Sequence, residues 1–137
     1  MTARYLADKS ALARSRHDKV IETMATRQRL LLIATCPVID LEMLYSARNT
    51  TEYEALAKER AGQPQVAIDP AVTDRALEVQ HLLVRKGQHR LSMLALLIAA
   101  AAEVNDLVVL HYDADFDRIA EVTGQPTEWV APKGSLD

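Results

Sequence analysis

Three aspartates, Asp113, Asp115 and Asp117, lie together directly after the apolar run 108–110. Such a run predicts a buried strand, so the acidic residues begin where that strand ends. Asp8 follows another short apolar run, 5–7, in the same way. Because the carboxyl ends of parallel strands meet at one edge of a sheet, we expect these acidic side chains to line one cleft.

A cleft that holds several carboxylates requires a cation, because neighbouring carboxylates repel and raise one another's pKa. Mg²⁺ and Mn²⁺ suit sites built from oxygen ligands, whereas Zn²⁺ prefers histidine or cysteine. The four histidines are scattered and show no paired ligand spacing, so each is predicted to be a surface or hydrogen-bonding residue. On the helix predicted after Pro37, Asp40 and Glu42 point about 200° apart, so they cannot both face one cleft.

The composition fits one domain over residues 1–137, since 49% of the residues are hydrophobic. The net charge of −3 gives no overall field that would attract nucleic acid. Residues 1–29 nevertheless carry seven basic and three acidic side chains, and residues 101–121 carry six acidic residues and one arginine. A basic lobe beside an acidic centre suits a phosphate-bearing substrate drawn towards metal ions. Ordinary solvated helix faces would produce the same pattern.

The chain has one cysteine, Cys36, which excludes an internal disulfide and fits a reducing compartment. The residue follows an apolar run and is predicted to be a small core residue. The longest apolar run, 93–102, has ten residues, fewer than the roughly 20 that a membrane span needs. We therefore expect an intracellular protein with no membrane segment.

Strand and helix patterns alternate along the chain, which predicts an α/β fold with a mostly parallel sheet and helices on both faces. The predicted strands are 4–7, 30–34, 66–68, 108–112 and 128–131. The predicted helices are one that begins at Ala11 after a Ser10 cap, and then 18–28, 37–49, 51–61, 70–86, 93–104 (capped by Ser92) and 114–122. Leu41, Leu44 and Tyr45 are expected to share the inward face of the helix after Pro37. Glycines 62, 87 and 124 mark three of the helix ends.

Other acidic motifs fit less well. An EF-hand loop starting at Asp113 needs glycine and glutamate where this chain has Arg118 and Gly124. In a phosphotransferase with an aspartyl nucleophile, the Asp-x-Asp pair belongs to the first strand, where this chain has Asp8 followed by Lys9. A helix N-terminus with acids that match the helix dipole would explain one or two of the three aspartates. The sequence contains no glycine-rich phosphate loop and no nucleophile elbow.

Four segments in order resemble the PIN-domain ribonucleases and, more narrowly, the VapC toxins of bacterial VapBC toxin–antitoxin systems. They are 5–11 (YLADKSA), 40–42 (DLE), 96–103 (LLIAAAAE) and 111–116 (HYDADF). The resemblance implies a PIN-like three-layer α/β/α sandwich and an endoribonuclease of a type II system that uses Mg²⁺ or Mn²⁺ to cut RNA, often tRNA or ribosomal RNA. It also implies a VapB-like antitoxin, a homodimer or toxin–antitoxin hetero-oligomer, and a location in the bacterial cytoplasm.

Residue by residue, the resemblance matches Asp8, Glu42 and Asp113 to metal-binding acids of the family, with Asp115 in support. The candidate catalytic residues are therefore Asp8, Glu42, Asp113 and Asp115. The candidate substrate-binding residues are Ser10, Lys9, Arg14 and Arg16. Ser10 would bond the cleft carboxylates or the substrate phosphate, and the three basic residues would grip the RNA backbone.

One position departs from the family pattern. The apolar stretch 96–100 is preceded in the family by the third metal-binding aspartate, and this chain has Ala95 there. A methyl group cannot coordinate Mg²⁺, so the chain is expected to be catalytically disabled. A natural homologue that lost the ligand and an engineered Asp→Ala form both explain the alanine, and the otherwise intact motifs favour the second. The alternative function is a non-catalytic PIN-like module that binds antitoxin or RNA without cleavage.

Overall fold

Within residues 2–136, which a computed structural model describes, four short strands form one sheet in the order β2-β1-β3-β4. The strands are β1 (Tyr5–Ala7), β2 (Ile33–Ala34), β3 (Val108–His111) and β4 (Thr127–Trp129). Every pairing between them is parallel. The expected α/β fold is confirmed, and the sheet is parallel throughout rather than mostly parallel.

Seven helices accompany the sheet in the same part of the chain. They are α1 (Lys9–Leu12), α2 (Ile21–Arg29), α3 (Pro37–Tyr45), α4 (Thr50–Ala61), α5 (Pro70–Val84), α6 (Met93–Val104) and α7 (Asp115–Thr123). Crossovers between parallel strands are right-handed, so the change of direction at β2 puts α1 and α2 on one face of the sheet and α3 to α7 on the other. The sheet with helices on both faces is the predicted three-layer α/β/α sandwich. No helix within residues 2–136 is long and apolar enough to cross a membrane.

Helix α6 is the central helix of its layer and packs on β1 and β3. Its extent and its Ser92 cap agree with the sequence prediction, because the cap and the apolar period are local signals. Four successive alanines, 99–102, are at most 2% exposed. Small side chains there let the helix backbone approach the sheet closely.

Two of the predicted strands differ from the structure: 30–34 is wrong in part and 66–68 is wrong entirely. In 30–34 only Ile33 and Ala34 join the sheet, because Leu31 has a left-handed φ of 55° and makes a turn after α2. Segment 66–68 forms no strand: the preceding Gln65 makes an isolated parallel bridge with Thr35, and the Val66 N–H donates to Thr35 O at 2.8 Å. Helix α3 begins at Pro37, so β2 offers no further edge with which 66–68 could pair.

Several helix ends also differ from prediction: α2 begins at Ile21 rather than at residue 18, and α5 ends at Val84 rather than at residue 86. Asp8, not Ser10, caps the first helix, since the Ser10 N–H donates to Asp8 Oδ2 at 3.0 Å. Helix α3 ends at Tyr45 rather than near Asn49, which instead caps α4 by accepting the Glu52 N–H at 2.9 Å. Of the two caps that were predicted, Ser92 is confirmed and Ser10 is wrong, because which of several capping residues is used depends on the path of the chain.

A buried ion pair fixes the start of α3 against the end of α4. Arg60 is 5% exposed, and its Nε donates to Asp40 Oδ1 at 3.0 Å. The same oxygen accepts the hydroxyl of Thr35 at 2.8 Å. Asp40 is therefore engaged in holding the fold, as its divergence from Glu42 on the helix suggested.

Candidate active site

Asp8 and Ser10 join the ends of the two central strands. Asp8 follows β1, is 7% exposed, and donates its N–H to Leu110 O at 2.9 Å. The Ser10 hydroxyl donates to Asp8 Oδ2 at 2.6 Å and accepts the Tyr112 N–H at 2.8 Å. One hydroxyl thus orients the Asp8 carboxylate and ties it to the chain that leaves β3. Of the two alternatives for Ser10, the structure has it bonded to a carboxylate of the cleft.

The aspartates after β3 have different surroundings. Asp113 Oδ1 accepts the Asp115 N–H at 2.9 Å and so helps to start α7. The Asp115 carboxylate lies 3.6 Å from the guanidinium of Arg118, one turn further along the helix. Asp117 accepts the indole N–H of Trp129 at 3.2 Å. Asp117 is therefore tied to β4, while Asp113 remains the aspartate nearest the end of β3.

His111, the last residue of β3, is 0% exposed and was not identified as part of the site from the sequence. Its Nδ1 accepts the Asp113 N–H at 3.2 Å, so the ring proton is on Nε2, which is buried without a partner in residues 2–136. The ring packs 5.1 Å from Phe116 and 4.9 Å from Trp129, centroid to centroid. Burial lowers the pKa of His111, and nearby acids, first Asp117, partly oppose it. The prediction of a hydrogen-bonding histidine is confirmed here.

Glu42 is the acidic residue of α3 whose pKa is affected by the charge of Asp8. Its Oε1 is buried and has no hydrogen-bond partner within the described residues. Burial raises the pKa of Glu42, the Asp8 charge raises it further, and Lys9 lowers it. Since Asp40 pairs with Arg60, Glu42 is the carboxylate that α3 contributes to this cleft.

An open cavity of about 300 Å³ adjoins Glu42. It is lined by Lys9, Val38, Leu41, Glu42, Tyr45 and Leu94. Leu41 and Tyr45 are 68% and 88% exposed, so the expectation that they face inward is wrong. The buried apolar residues of α3 are Val38 and Ile39, because the pairing of Asp40 with Arg60 sets the rotation of the helix.

Ala95 lies in the first turn of α6 and is 5% exposed. Its N–H donates to the capping hydroxyl of Ser92 at 3.4 Å, and its neighbour Leu94 lines the cavity beside Glu42. Helix α6 contacts β1, β3 and α3, the elements that carry or precede the candidate acids. Position 95 is thus next to the acidic cleft, and its methyl group offers no ligand atom.

The residues present match a divalent cation in part. The unpartnered Oε1 of Glu42 near the buried Asp8 carboxylate is a local excess of negative charge that a hard cation would offset. Within residues 2–136, however, no three His, Cys, Asp or Glu side chains are close enough together to hold one metal ion. The chain therefore presents the carboxylates of Asp8 and Glu42 close enough to interact electrostatically, with alanine at position 95, where the resemblance implies an aspartate.

The basic candidates divide between two places. Lys9 lines the cavity with Glu42. Arg14 donates to Ser10 O at 2.9 Å, and its guanidinium lies 4.2 Å from the centroid of the Tyr112 ring, so it borders the Asp8 side of the cleft. Arg16 is exposed and lines a separate hollow between α1, α2 and α4. The structure brings Lys9 and Arg14, but not Arg16, to the acidic residues.

The parallel α/β sandwich and the carboxylates at the carboxyl edge of its central strands define a class of proteins. Sequence similarity assigns the chain to one family of that class. The family model described as PIN domain matches residues 5–122. Ribonuclease VapC51 of Mycobacterium tuberculosis is 40% identical over 137 residues, covering 100% of both chains. Ribonuclease VapC18 of the same organism is 44% identical over 107 residues, covering 76% of this chain and 78% of its own. The chain belongs to the VapC ribonucleases of the PIN-domain family.

Solved structures have the same fold. The DNA-bound VapBC of Salmonella typhimurium matches with a TM-score of 0.73 at 17% identity, covering 94% of this chain and 99% of that one. VapBC2 of Rickettsia felis, bound to a promoter DNA fragment, matches with a TM-score of 0.72 at 16% identity, covering 91% and 98%. At such low identity these likenesses establish the fold.

Proposed function

We propose that the protein is the toxin of a type II toxin–antitoxin pair and that its reaction is hydrolysis of RNA phosphodiesters with Mg²⁺ or Mn²⁺. One PIN-like domain over residues 1–137 would carry this activity in the bacterial cytoplasm, with tRNA or ribosomal RNA as substrate. The observation that supports it most is the pair formed by the buried Asp8 carboxylate and the half-buried Glu42 at the carboxyl edge of the sheet. The unpartnered Glu42 Oε1 is electrostatically coupled to Asp8 there.

Each residue of the cleft has a role in this proposal. Asp8, Glu42 and Asp113 would hold the metal, and Asp115 would support Asp113 through the hydrogen bond that its N–H donates. When bound, a divalent ion lowers the pKa of a bound water and offsets charge on the scissile phosphate. Ser10 would keep the Asp8 carboxylate in one orientation, since its hydroxyl is bonded at 2.6 Å.

The basic candidates would bind the substrate on the Asp8 side of the cleft. Lys9 and Arg14 border the acidic residues, so they would contact phosphates next to the one that is cut. Arg16, in its separate hollow, would contact RNA only beyond the cleft.

We further propose that Ala95 disables this chain as a nuclease. The test is RNA cleavage in Mg²⁺ by the unmodified chain, by Ala95→Asp and by Ala95→Asn. Asparagine has the shape of aspartate without its charge, so it is the matched control. We expect Ala95→Asp to cleave an RNA pool at least about 100-fold faster than the other two, because loss of a residue that only supports a metal ligand already costs about 10–100-fold. Chelation should abolish the activity, and absence of cleavage by Ala95→Asp would contradict the enzymatic function.

A VapB-like antitoxin is the proposed partner, in a homodimer or a toxin–antitoxin hetero-oligomer. The structural neighbours from Salmonella typhimurium and Rickettsia felis are VapBC complexes, which supports this assignment. Purification of the tagged chain from its native host, followed by identification of co-purifying proteins, tests it. Recovery of the chain with no small partner protein would count against the assignment.

The second candidate is a non-catalytic module of the same fold that binds antitoxin or RNA without cutting. Ala95 favours it, together with the absence of any three-ligand metal cluster in the described residues. The Ala95→Asp experiment separates the two functions. A module of this kind would bind RNA or antitoxin with either residue at position 95 and would cleave with neither.

A further inference from the structure

The turn between α5 and α6, residues 85–92, is a positively charged surface without acidic neighbours in sequence. No aspartate or glutamate occurs from position 79 to position 102. Arg85, Lys86 and Arg90 are all exposed in this turn. We call residues 85–92 the basic turn.

The three cations of the basic turn have no ion-pair partner within residues 2–136. Five other arginines of the chain each lie within 3.6 Å of a carboxylate: Arg27, Arg48, Arg60, Arg75 and Arg118. Arg4, Arg16 and Arg29 are also exposed without an ion pair in residues 2–136, so the distinguishing feature of the basic turn is its lack of acidic neighbours in sequence. Its charges remain available to an external anion.

The basic turn lies at the same edge of the sheet as the acidic cleft. Helix α6 leads into β3 and, as the helix of a parallel crossover, runs antiparallel to the strands. Its first turn is therefore at the carboxyl edge, where Asp8 follows β1. Leu94, two residues after the Ser92 cap, lines the cavity with Glu42 and Lys9. The basic turn borders the cleft on the α6 side, and α1 borders it on the other.

The fold of the basic turn is well defined, but its polar groups are incompletely satisfied. Gly87 has a left-handed φ of 67°, and the Gln88 N–H donates to Leu83 O at 2.9 Å, which ends α5. Two buried atoms, Gln88 Oε1 and His89 Nδ1, have no hydrogen-bond partner in the described part of the chain. Buried polar atoms without partners are uncommon in folded proteins.

We propose that the basic turn binds the phosphate backbone of a single-stranded RNA that lies across the acidic cleft. The inference rests on the proposed function and adds a contact that the N-terminal basic residues do not supply. A protein with a net charge of −3 and an acidic cleft repels RNA on average. Local cations on both sides of the cleft are therefore needed to hold the polyanion over the carboxylates.

The experiment uses the chain with Ala95, which lets binding be measured without cleavage. The probe is a labelled single-stranded RNA of about 20 nucleotides, which is longer than the stretch that a domain binding single strands usually covers. Its affinity is measured by fluorescence anisotropy between about 50 and 200 mM salt for the unmodified chain and for Arg85→Gln/Lys86→Gln/Arg90→Gln. We expect the triple variant to bind at least about 10-fold more weakly at low salt. The slope of log K against log salt should fall in magnitude by about 2, since each single-strand phosphate contact contributes about 0.7.

The matched control removes the same charge elsewhere. Arg4 and Arg29 lie at the amino edge of the sheet, Lys58 lies on α4, and all three are exposed. The triple variant Arg4→Gln/Arg29→Gln/Lys58→Gln should bind RNA within about twofold of the unmodified chain. Unchanged circular dichroism and melting temperature for both triple variants confirm that folding is intact, as expected for exposed positions.

Several outcomes would overturn the proposal. Equal losses in the two triple variants would mean that net charge, and not the basic turn, determines affinity. Failure of the unmodified chain to bind RNA would also refute it. So would a basic-turn variant that keeps RNA binding but loses the co-purified partner protein, because the turn would then be a protein contact. Cleavage by Ala95→Asp is a separate measurement, so failure of the nuclease function is distinguishable from each of these outcomes.

Discussion

At the scale of single residues, the cleft contains an unfavourable charge. Glu42 has a buried oxygen without a partner in the described residues, and both burial and the Asp8 charge raise its pKa. A carboxylate in such a place reduces the stability of the fold when it is ionised. Stability lost at such a position is typical of sites whose charges have a function beyond the fold.

Replacing Glu42 with glutamine should stabilise the metal-free protein. A raised pKa means that the folded state holds the Glu42 proton more tightly, so the stabilising contribution is present below the ordinary value of 4.5 and is lost as pH rises through the folded value. Urea unfolding in chelator should give Glu42→Gln only about 0.5–1 kcal/mol more stability at neutral pH, because solvent screens a half-buried side chain, and the gain should shrink as the pH falls towards 4.5. Glu54→Gln, at an exposed position of α4, is the control. An equal gain at every pH would contradict the electrostatic explanation.

Ser10 is the second residue whose role is testable through stability. Ser10→Ala removes the donor to Asp8 Oδ2 and leaves the Tyr112 N–H without its acceptor. We expect the free energy of unfolding to fall by about 1–3 kcal/mol, the usual cost of an unmade hydrogen bond in a buried place. Ser10→Thr keeps the hydroxyl and should retain most of the stability. If threonine and alanine are equally destabilising, packing rather than hydrogen bonding explains the effect.

At the scale of elements, the link from α7 to β4 fixes α6 in place. Gln125 is 7% exposed, and its Nε2 donates to Ala99 O of α6 at 2.9 Å. Its Oε1 accepts the Thr123 hydroxyl at 3.1 Å. This amide joins the end of α7 to the middle of α6, one turn beyond position 95. Gly124, which lies between Thr123 and Gln125, ends α7 with a left-handed φ of 72°.

Two glycines that both end helices should respond differently to alanine. Gly124→Ala should cost about 1 kcal/mol, because the residue has a φ of 72° and no steric contact within 4 Å adds to the backbone strain. Gly62→Ala should be neutral or stabilising by up to about 0.5 kcal/mol, since Gly62 ends α4 in a right-handed conformation with a φ of −79°. Thermal unfolding of the two variants measures the contrast. Similar costs at both positions would show that left-handed strain is not the cause.

At the scale of the whole molecule, the crossovers gather acidic residues that are more than 100 positions apart, as the register of β1 with β3 shows for Leu6 and Val109. We expect stability and metal binding to be linked, because a metal held by these acids would join the ends of the two central strands. Position 95 lies on the helix that packs on both strands, and its neighbour Leu94 lines the cavity with Glu42, so we expect a charge there to act on the acids of the cleft. An added carboxylate at this place increases repulsion in the absence of metal and affinity in its presence.

Melting temperatures with and without Mn²⁺ should reveal this linkage. In chelator we expect Ala95→Asp to melt below the unmodified chain, because a further carboxylate joins the buried pair. With free Mn²⁺ at about 100 times its dissociation constant, Ala95→Asp should gain about 2.7 kcal/mol. The unmodified chain, which has no three-ligand cluster in residues 2–136, should gain less at the same concentration. An Ala95→Asp protein that melts higher in chelator, or equal gains for both proteins, would contradict the prediction.

Much of the fold was predictable where the signals are local. Helix α6 begins at its Ser92 cap and ends at Val104 as expected, because capping and apolar period act over a few residues. The strand predicted at 66–68 failed because a strand forms only where a partner edge exists, and β2 ends before that segment could pair. The inward face assigned to Leu41 and Tyr45 failed because a buried ion pair, formed with a residue 20 positions away, rotates α3.

The sequence by itself determined the family and the acidic residues that are candidates for chemistry, since these depend on residue types at fixed spacing. It also showed alanine at position 95, where the resemblance implies an aspartate. Only the tertiary structure decided which acids face one another. Asp40 pairs with Arg60, Asp117 binds Trp129, and Glu42 is left beside Asp8. The physical reason is that burial, pairing and pKa depend on neighbours brought together through space. Spacing along the chain reports only the neighbours within a few turns.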